Sequence, residues 1–445
     1  MTTWRGRIVA FLVVHDETKS IMNGSPRRLI VLCPHFAPDI APTGKVMTHI
    51  VEQWTQGGHE VHVVTSLPWY REHRVESGWD GKWIRRERTT WGSVTRIHPF
   101  PAKSKSKLVS RALAFIAFSV IAGVCAVTVR RQQRADTRVA HRGVDAVVAM
   151  SPPLTLGIIG WIVARLRRAT CIFNVQDVFP DAAIATGAVH NKLVIAFATW
   201  LERFTYTHSD AVVVLSNDLQ ENVRRKIGAR FARRVHVIEN FVDLAGISPQ
   251  SRLTPYRREL GIGEEVVVMY AGNVGFSQSL ENLVECARRA PHITVLINGA
   301  GAALASLREM STGLANVRFG DYQPEHRLAE VLATGDIHVV SLRSGLASVS
   351  VPSKTYSILA AGRCVVAAVD ADSEIERLVE RSGAGLSVAP DDPAALADAL
   401  NTLVGDETKR TSMGAAGRSY ITGHPSAHDV AQAYLGLLPD SLSNS

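Results

Sequence analysis

Cysteine is scarce and scattered. The five residues Cys33, Cys125, Cys171, Cys286 and Cys364 include no pair at short spacing, which excludes a zinc ribbon or a dithiol redox motif. Lone thiols in a chain of this length suit a reducing cytosol. The sixteen histidines are dispersed and form no metal-binding set. Two phosphate-binding signatures are also missing: neither the dinucleotide fingerprint Gly-x-Gly-x-x-Gly nor the lysine-bearing loop of nucleotide hydrolases occurs. Acidic residues are sparse in the first half. Residues 1–243 carry 33 basic and 19 acidic side chains, while residues 244–445 carry 16 and 22. A basic half suits nucleic acid, an anionic membrane or a phosphorylated substrate. No nucleic-acid motif accompanies it, so no nucleic-acid partner is expected.

What is present is a globular composition, 46% hydrophobic and 20% charged over 445 residues, enough for two domains with cores of their own. Apolar runs recur at Arg28–Cys33, His59–Thr65, Asp145–Met150, Cys171–Val175 and Ala211–Ser216. Between the first two lie a loop, His35–Lys45, and a helical stretch from Val46 to Gln56. This strand–loop–helix–strand order is the unit of a parallel α/β sheet. A second series runs through Val266–Tyr270, Ile293–Ile297, Val317–Phe319, Ile337–Ser341 and Cys364–Ala368. The chain therefore divides into an extension (1–27), one doubly wound domain (28–243), a second (244–420) and a terminal helix with a tail (421–445). A ligand belongs in the crevice between the two, at the carboxyl ends of the strands.

Two segments depart from this plan. Ile8–Val14 is apolar and follows Arg5 and Arg7, but no small-residue cleavage site comes after it; it reads as an extension rather than a leader, with Met22 an alternative start. Ala112–Val129 holds eighteen residues without charge, next to Lys103, Lys105, Lys107 and Arg130-Arg131. It is short for a spanning helix of ~20 residues. Segment 108–130 is expected either to bury as a core helix or to attach to an anionic membrane surface.

Three places carry candidate chemistry. Val351-Pro352-Ser353-Lys354 opens a helix that Gly362 closes; a helix start with a hydroxyl and an ammonium is suited to phosphate. Gly44, between Thr43 and Lys45, lies on the first strand–helix loop, where backbone N–H groups can approach an anion. Asp177, after the fourth apolar run, should reach the crevice and serve a ligand hydroxyl or a proton transfer. Asp370-Ala371-Asp372 has metal-like spacing but precedes a helix, so capping is the expected role.

Together these runs resemble glycosyltransferase family 4, and within it the colanic-acid and O-antigen type of bacterial exopolysaccharide enzymes. The resemblance rests on Pro42-Thr43-Gly44, Gly58-His59-Glu60-Val61, Gln176-Asp177-Val178-Phe179-Pro180, Glu239–Asp243, Tyr270–Gly275, Val351–Gly362 and Gly383–Leu386. It implies the GT-B fold, two Rossmann-like domains facing a central crevice. It also implies a nucleotide-diphosphate sugar donor, expected to be UDP-linked, retention of anomeric configuration, no metal or other cofactor, and an acceptor that is a glycan or is lipid-linked, a polyprenyl diphosphate being expected, met at the inner face of the cell membrane. Carried over by position, Gly44, Asn273, Ser353, Lys354 and Tyr356 hold the donor, with Gly299, Gly301, Asp321 and Tyr322 near its base. Asp177 and Lys354 are the catalytic candidates, and Thr43, Lys45 and Gln176 lie on the acceptor side. The chain departs from the family where two glutamates are usual, at Val349 and Ser357. It departs again at Gln278, where a lysine is usual, and at Gln176, where histidine is frequent. Two other readings stand beside this one: an epimerase of the same fold, and a non-catalytic donor-binding partner in a polysaccharide complex.

Overall fold

The computed structural model describes residues 25–71, 74–100, 108–129, 143–185, 187 and 189–439. The expectations for Ile8–Val14, Met22, Lys103–Lys107 and Arg130-Arg131 lie outside the described residues.

The first domain is built on eight strands: β1 (Arg28–Leu32), β2 (Glu60–Ser66), β3 (Ile84–Thr89), β4 (Gly92–Ile97), β5 (Ala146–Ser151), β6 (Thr170–Val175), β7 (Ala211–Val214) and β8 (Val235–Val237). Their order is β3-β4-β2-β1-β5-β6-β7-β8. All neighbours are parallel except β3 and β4. The central strands are Val- and Ile-rich because helices cover both faces of a parallel sheet. The β3–β4 pair escapes sequence reading for a physical reason. β3 reads Ile-Arg-Arg-Glu-Arg-Thr and alternates between exposed and half-buried positions, so it is an edge strand whose charges discourage further pairing.

The helices of this domain used below are α1 (Pro42–Gln56), α2 (Leu108–Val127), α3 (Thr155–Arg167), α4 (Asp181–Ala185), α5 (Lys192–His208) and α6 (Asn217–Ile227). The apolar segment is α2, and it is helical as expected. One side buries Phe118, Ala122, Cys125 and Ala126, while Leu113, Ile116, Val120 and Val124 remain exposed on the other. Among the described residues no helix is long and apolar enough to cross a membrane.

The second domain carries β9 (Val267–Ala271), β10 (Thr294–Asn298), β11 (Val317–Gly320), β12 (Ile337–Ser341), β13 (Cys364–Ala368) and β14 (Gly385–Val388), all parallel. Their order, β11-β10-β9-β12-β13-β14, is the 3-2-1-4-5-6 order of dinucleotide-binding folds, whose ligand crevice opens where the order reverses. Here that is between β9 and β12, so the loops after these two strands position the site. The terminal helix, Ala427–Leu435, returns to the first domain. Trp54 Nε1 of α1 donates to Ala431 O at 2.9 Å, and its ring meets Tyr434 edge-on.

Candidate active site

At the reversal point, β9 runs into Gly272-Asn273-Val274-Gly275 and β10 into Gly299-Ala300-Gly301. The two loops lie backbone against backbone. Gly272 N–H donates to Asn298 O and Val274 N–H to Ala300 O, each at 2.9 Å. A Cβ on Gly299 would stand 1.9 Å from Gly272 O, and one on Gly301 would stand 2.2 Å from Val274 O. Only glycine permits that approach. These two glycines therefore seat the 272–275 loop. Asn273 is exposed on it, with its carbonyl accepting from the Tyr270 hydroxyl at 2.6 Å. Gln278 turns back on the same loop and accepts from Gly275 N–H at 3.0 Å.

Lys354 lies against this loop. Its Nζ is buried with no hydrogen-bond partner, 3.6 Å from the centroid of the Tyr270 ring and close to Gly272. Burial pulls its pKa down from 10.5 to about 7. A buried ammonium without an acceptor is costly, and an anion on the glycine loop would supply one. The helix that bears it is shorter than the sequence suggests, Lys354–Ala360, and Ser353 at its cap makes no side-chain capping bond. In seven residues the helix dipole is a minor contributor; the ammonium carries the attraction. Ser353 is exposed. Tyr356, expected on the donor side, is instead buried and stacked on His424 at 4.8 Å.

The loop after β12 is tied in at two points. Arg343 N–H donates to Ser277 O at 2.8 Å. Asp370 accepts from Gly345 N–H at 2.9 Å, so this acidic residue organises a loop. Ser373, not Asp370 or Asp372, caps the next helix by accepting from Glu376 N–H. Among the described residues no group of three or more His, Cys, Asp or Glu side chains could hold a metal ion.

Asp321 and the half-exposed Tyr322 follow β11 at the rim. Tyr256 O–H donates to Asn298 Oδ1 at 2.5 Å and approaches Asp321 O at 3.3 Å, fixing that rim. Partial burial and then the charge of the Tyr70 phenol push Tyr322 up to about 12.

On the first domain, Thr43, Gly44 and Lys45 belong to the first turn of α1, which begins at Pro42 rather than at Val46. Proline suits that first position because its missing N–H has no helical acceptor there. Gly44 is buried, and a Cβ on it would stand 2.7 Å from His35 Cβ. Lys45 spans the crevice to Glu325 at 2.9 Å. Both side chains are partly exposed, so the pair contributes less than about 1 kcal/mol.

Asp177 follows β6 and faces the second domain. Burial raises its pKa, and a hydrogen bond with the Ser350 side chain opposes that rise. Its neighbour Val178 N–H donates to Val349 O at 2.8 Å. The residues that replace the usual glutamate region thus contact the Asp177 segment directly. Gln176 is buried and hydrogen-bonds Asn174 at 2.7 Å and Asn240 at 3.2 Å. Asn174 in turn hydrogen-bonds Tyr434. This polar chain joins β6 to the terminal helix, and Gln176 is committed to it rather than to the crevice.

One cluster was missed in the sequence. His35 Nδ1 lies 2.7 Å from Asp39 Oδ2, and the His35 ring stacks on Trp69 and meets Tyr70 edge-on. The group lies at the carboxyl ends of β1 and β2. The i,i+4 spacing of His35 and Asp39 was the available signal.

Comparison with known proteins agrees with this architecture. The Glycosyl transferase 4-like domain family matches residues 43–240, and the Glycosyl transferases group 1 family matches residues 265–406. A glycosyl transferase of Escherichia coli (strain K12) named for colanic acid biosynthesis, WcaI, is 27% identical over 381 residues, 83% of this chain and 90% of that one. The Pseudomonas aeruginosa glycosyltransferase WbjE is 25% identical over 352 residues, covering 78% and 84%. Among solved structures, sucrose-phosphate synthase from Thermosynechococcus elongatus aligns with a TM-score of 0.70 at 16% identity, over 92% of this chain and 98% of that one. Anabaena HepE in complex with UDP-glucose aligns with a TM-score of 0.67 at 13% identity, over 92% and 98%. The chain is a family-4 glycosyltransferase built on the GT-B fold, and its sequence is similar to that of the colanic-acid enzyme.

Proposed function

We propose that the chain is a retaining enzyme that moves a hexosyl or N-acetylhexosaminyl group from a UDP-linked donor to a polyprenyl-diphosphate-linked acceptor. In this reading it needs no metal and works at the inner face of the cell membrane. The observation that carries the proposal is the partnerless Lys354 ammonium beneath the Gly272–Gly275 loop. The donor diphosphate is the partner it lacks. HepE, of the same fold, is described with UDP-glucose, which supports the choice of nucleotide.

The chemistry follows from this geometry. As the glycosidic bond breaks, negative charge develops on the terminal phosphate of the donor. Lys354 and the exposed Ser353 hydroxyl are the donors that stabilise it. The leaving phosphate accepts the acceptor proton on the same face of the sugar, which retains configuration. Asp177, across the crevice, positions a sugar hydroxyl. Neither Val349 nor Ser357 offers a carboxylate for the sugar, so selectivity falls to Asp177 and Ser350.

Asp177→Asn is therefore expected to lower turnover by about 100-fold, while the thermal stabilisation given by UDP stays as in the parent chain. An equal loss of both would place Asp177 in donor binding instead. Incubation with UDP-sugars and a bacterial lipid extract tests the whole reading. It predicts an α-linked product from an α-linked donor, formed in the presence of EDTA and only when acceptor is added. Sugar conversion without acceptor would identify an epimerase. No turnover despite UDP binding would identify a donor-binding partner.

A further inference from the structure

Three helices on one side of the first sheet are apolar on their outer surface. α3 packs against both α2 and α5, so the three surfaces are contiguous. α5 contributes the largest groups: Leu193, Phe197 and Trp200 are 81%, 59% and 55% exposed. Their spacing of four and three residues puts them on one helical face. Ile162 and Leu166 of α3 are exposed beside them, and α2 adds its outer stripe. Single exposed leucines need no explanation, but a contiguous field of large apolar groups marks a surface that meets an apolar partner.

The aromatic groups are held in place. Phe197 stacks on Trp200 with centroids 5.8 Å apart, and Trp200 lies 5.7 Å from Phe204. Phe204 meets Trp161 of α3 edge-on at 5.3 Å. This ladder presents Trp200 outward on a rigid support.

Charge selects the occupant. α2 and α3 contain no acidic residue, and the only one on α5, Glu202, is buried and paired with Lys226 at 2.8 Å. The exposed charges on α3 and α5 are Arg165, Lys192 and Arg203, with Arg168 directly after α3, all basic; the exposed Asp210, two residues past α5, accepts from Cys171 N–H. A second copy of this face would bring like charges together. An anionic bilayer would meet them with opposite charge.

We infer that α5, flanked by α2 and α3, is the main face on which the first domain lies against an anionic lipid bilayer. Leu193, Phe197 and Trp200 enter the boundary between headgroups and acyl chains, and the basic rim holds the lipid phosphates. This deepens the lipid-acceptor reading above and rests on it. It also moves the weight of attachment from segment 108–130 to α5.

Flotation of the full chain with vesicles tests the inference. The parent chain is expected to float with phosphatidylglycerol-containing vesicles and to remain behind with pure phosphatidylcholine. Phe197→Ser combined with Trp200→Ser should reduce flotation about tenfold or more, with the UDP-induced thermal shift retained. Lys192→Glu with Arg203→Glu, which leaves the apolar groups in place, should reduce it on anionic vesicles as well. Flotation unchanged in both variants overturns the inference. So does a parent chain that is dimeric by light scattering, ignores vesicles and becomes monomeric in the serine variant. The UDP shift keeps the two claims apart: its absence in the parent chain counts against the catalytic reading and leaves the vesicle result standing.

Discussion

Lys354→Met raises the thermal midpoint of the free protein by several degrees and abolishes its stabilisation by UDP. The two effects have one cause. In the free protein the ammonium is buried without a hydrogen-bond partner, and the Tyr270 face at 3.6 Å offsets only about 1–2 kcal/mol of the desolvation. Its pKa falls from 10.5 to about 7. A lysine depressed in the folded state costs stability. The cost is absent above pH 10.5, grows as the pH falls, and is complete below about pH 7. At about 1.4 kcal/mol per unit, it amounts to several kcal/mol, and methionine, similar in length and uncharged, removes it. The donor diphosphate would supply the missing partner, so losing the ammonium weakens binding by about 2–4 kcal/mol, roughly 30- to 1000-fold. Scanning fluorimetry with and without UDP separates the two effects. A variant that loses stability and UDP binding together would give Lys354 a structural role and remove the basis of the account.

Gly299→Ala is expected to be nearly as damaging. Gly299 has a φ of +142°, which side chains rarely tolerate, and its Cβ would stand 1.9 Å from the carbonyl oxygen of Gly272. The obstacle is backbone held by strand β9, so nothing flexible can yield. A shift of the 272–275 loop would lose the bond from Val274 N–H to Ala300 O and the seat beneath Lys354. A stability loss of about 2–4 kcal/mol should accompany the loss of UDP binding. Gly275→Ala is the control. Its Cβ would meet only the ends of the Gln278 and Asn273 side chains, which can move aside at the cost of the Gly275 N–H to Gln278 bond, so only about 1 kcal/mol is expected. Urea unfolding of the two variants makes the comparison, and equal losses would contradict the backbone argument.

The sequence carries the fold wherever burial is two-sided. Strands such as Val31, Val148 and Val339 lie within continuous apolar runs, and the loops after β9 and β12 follow from the parallel topology. The charged edge strand β3 and the three-residue β8 lack that signal. At the site, Lys354 was visible as a residue type, but its solitude was not. That depends on Tyr270 and Gly272, more than eighty positions away and brought close only by the β9–β12 pairing. Tyr356 and Gln176 were placed in the crevice because motif position does not reveal side-chain direction. Gln176 bonds a residue 64 positions away, and Asn174 beside it bonds one 260 away. The apolar run of segment 108–130 was equally visible, whereas the exposed face of α5 emerges only once α3 is packed beside it.

The central claim is that the donor diphosphate completes Lys354. Calorimetric titration of the protein with UDP at pH 8, in buffers of different ionisation enthalpy, measures it most directly. A lysine titrating near 7 in the free protein is mostly neutral at that pH and returns toward its ordinary value once paired. Binding is therefore predicted to take up close to one proton in the parent chain and none in Lys354→Met. UDP binding that takes up no proton, or the same number in both proteins, would contradict it.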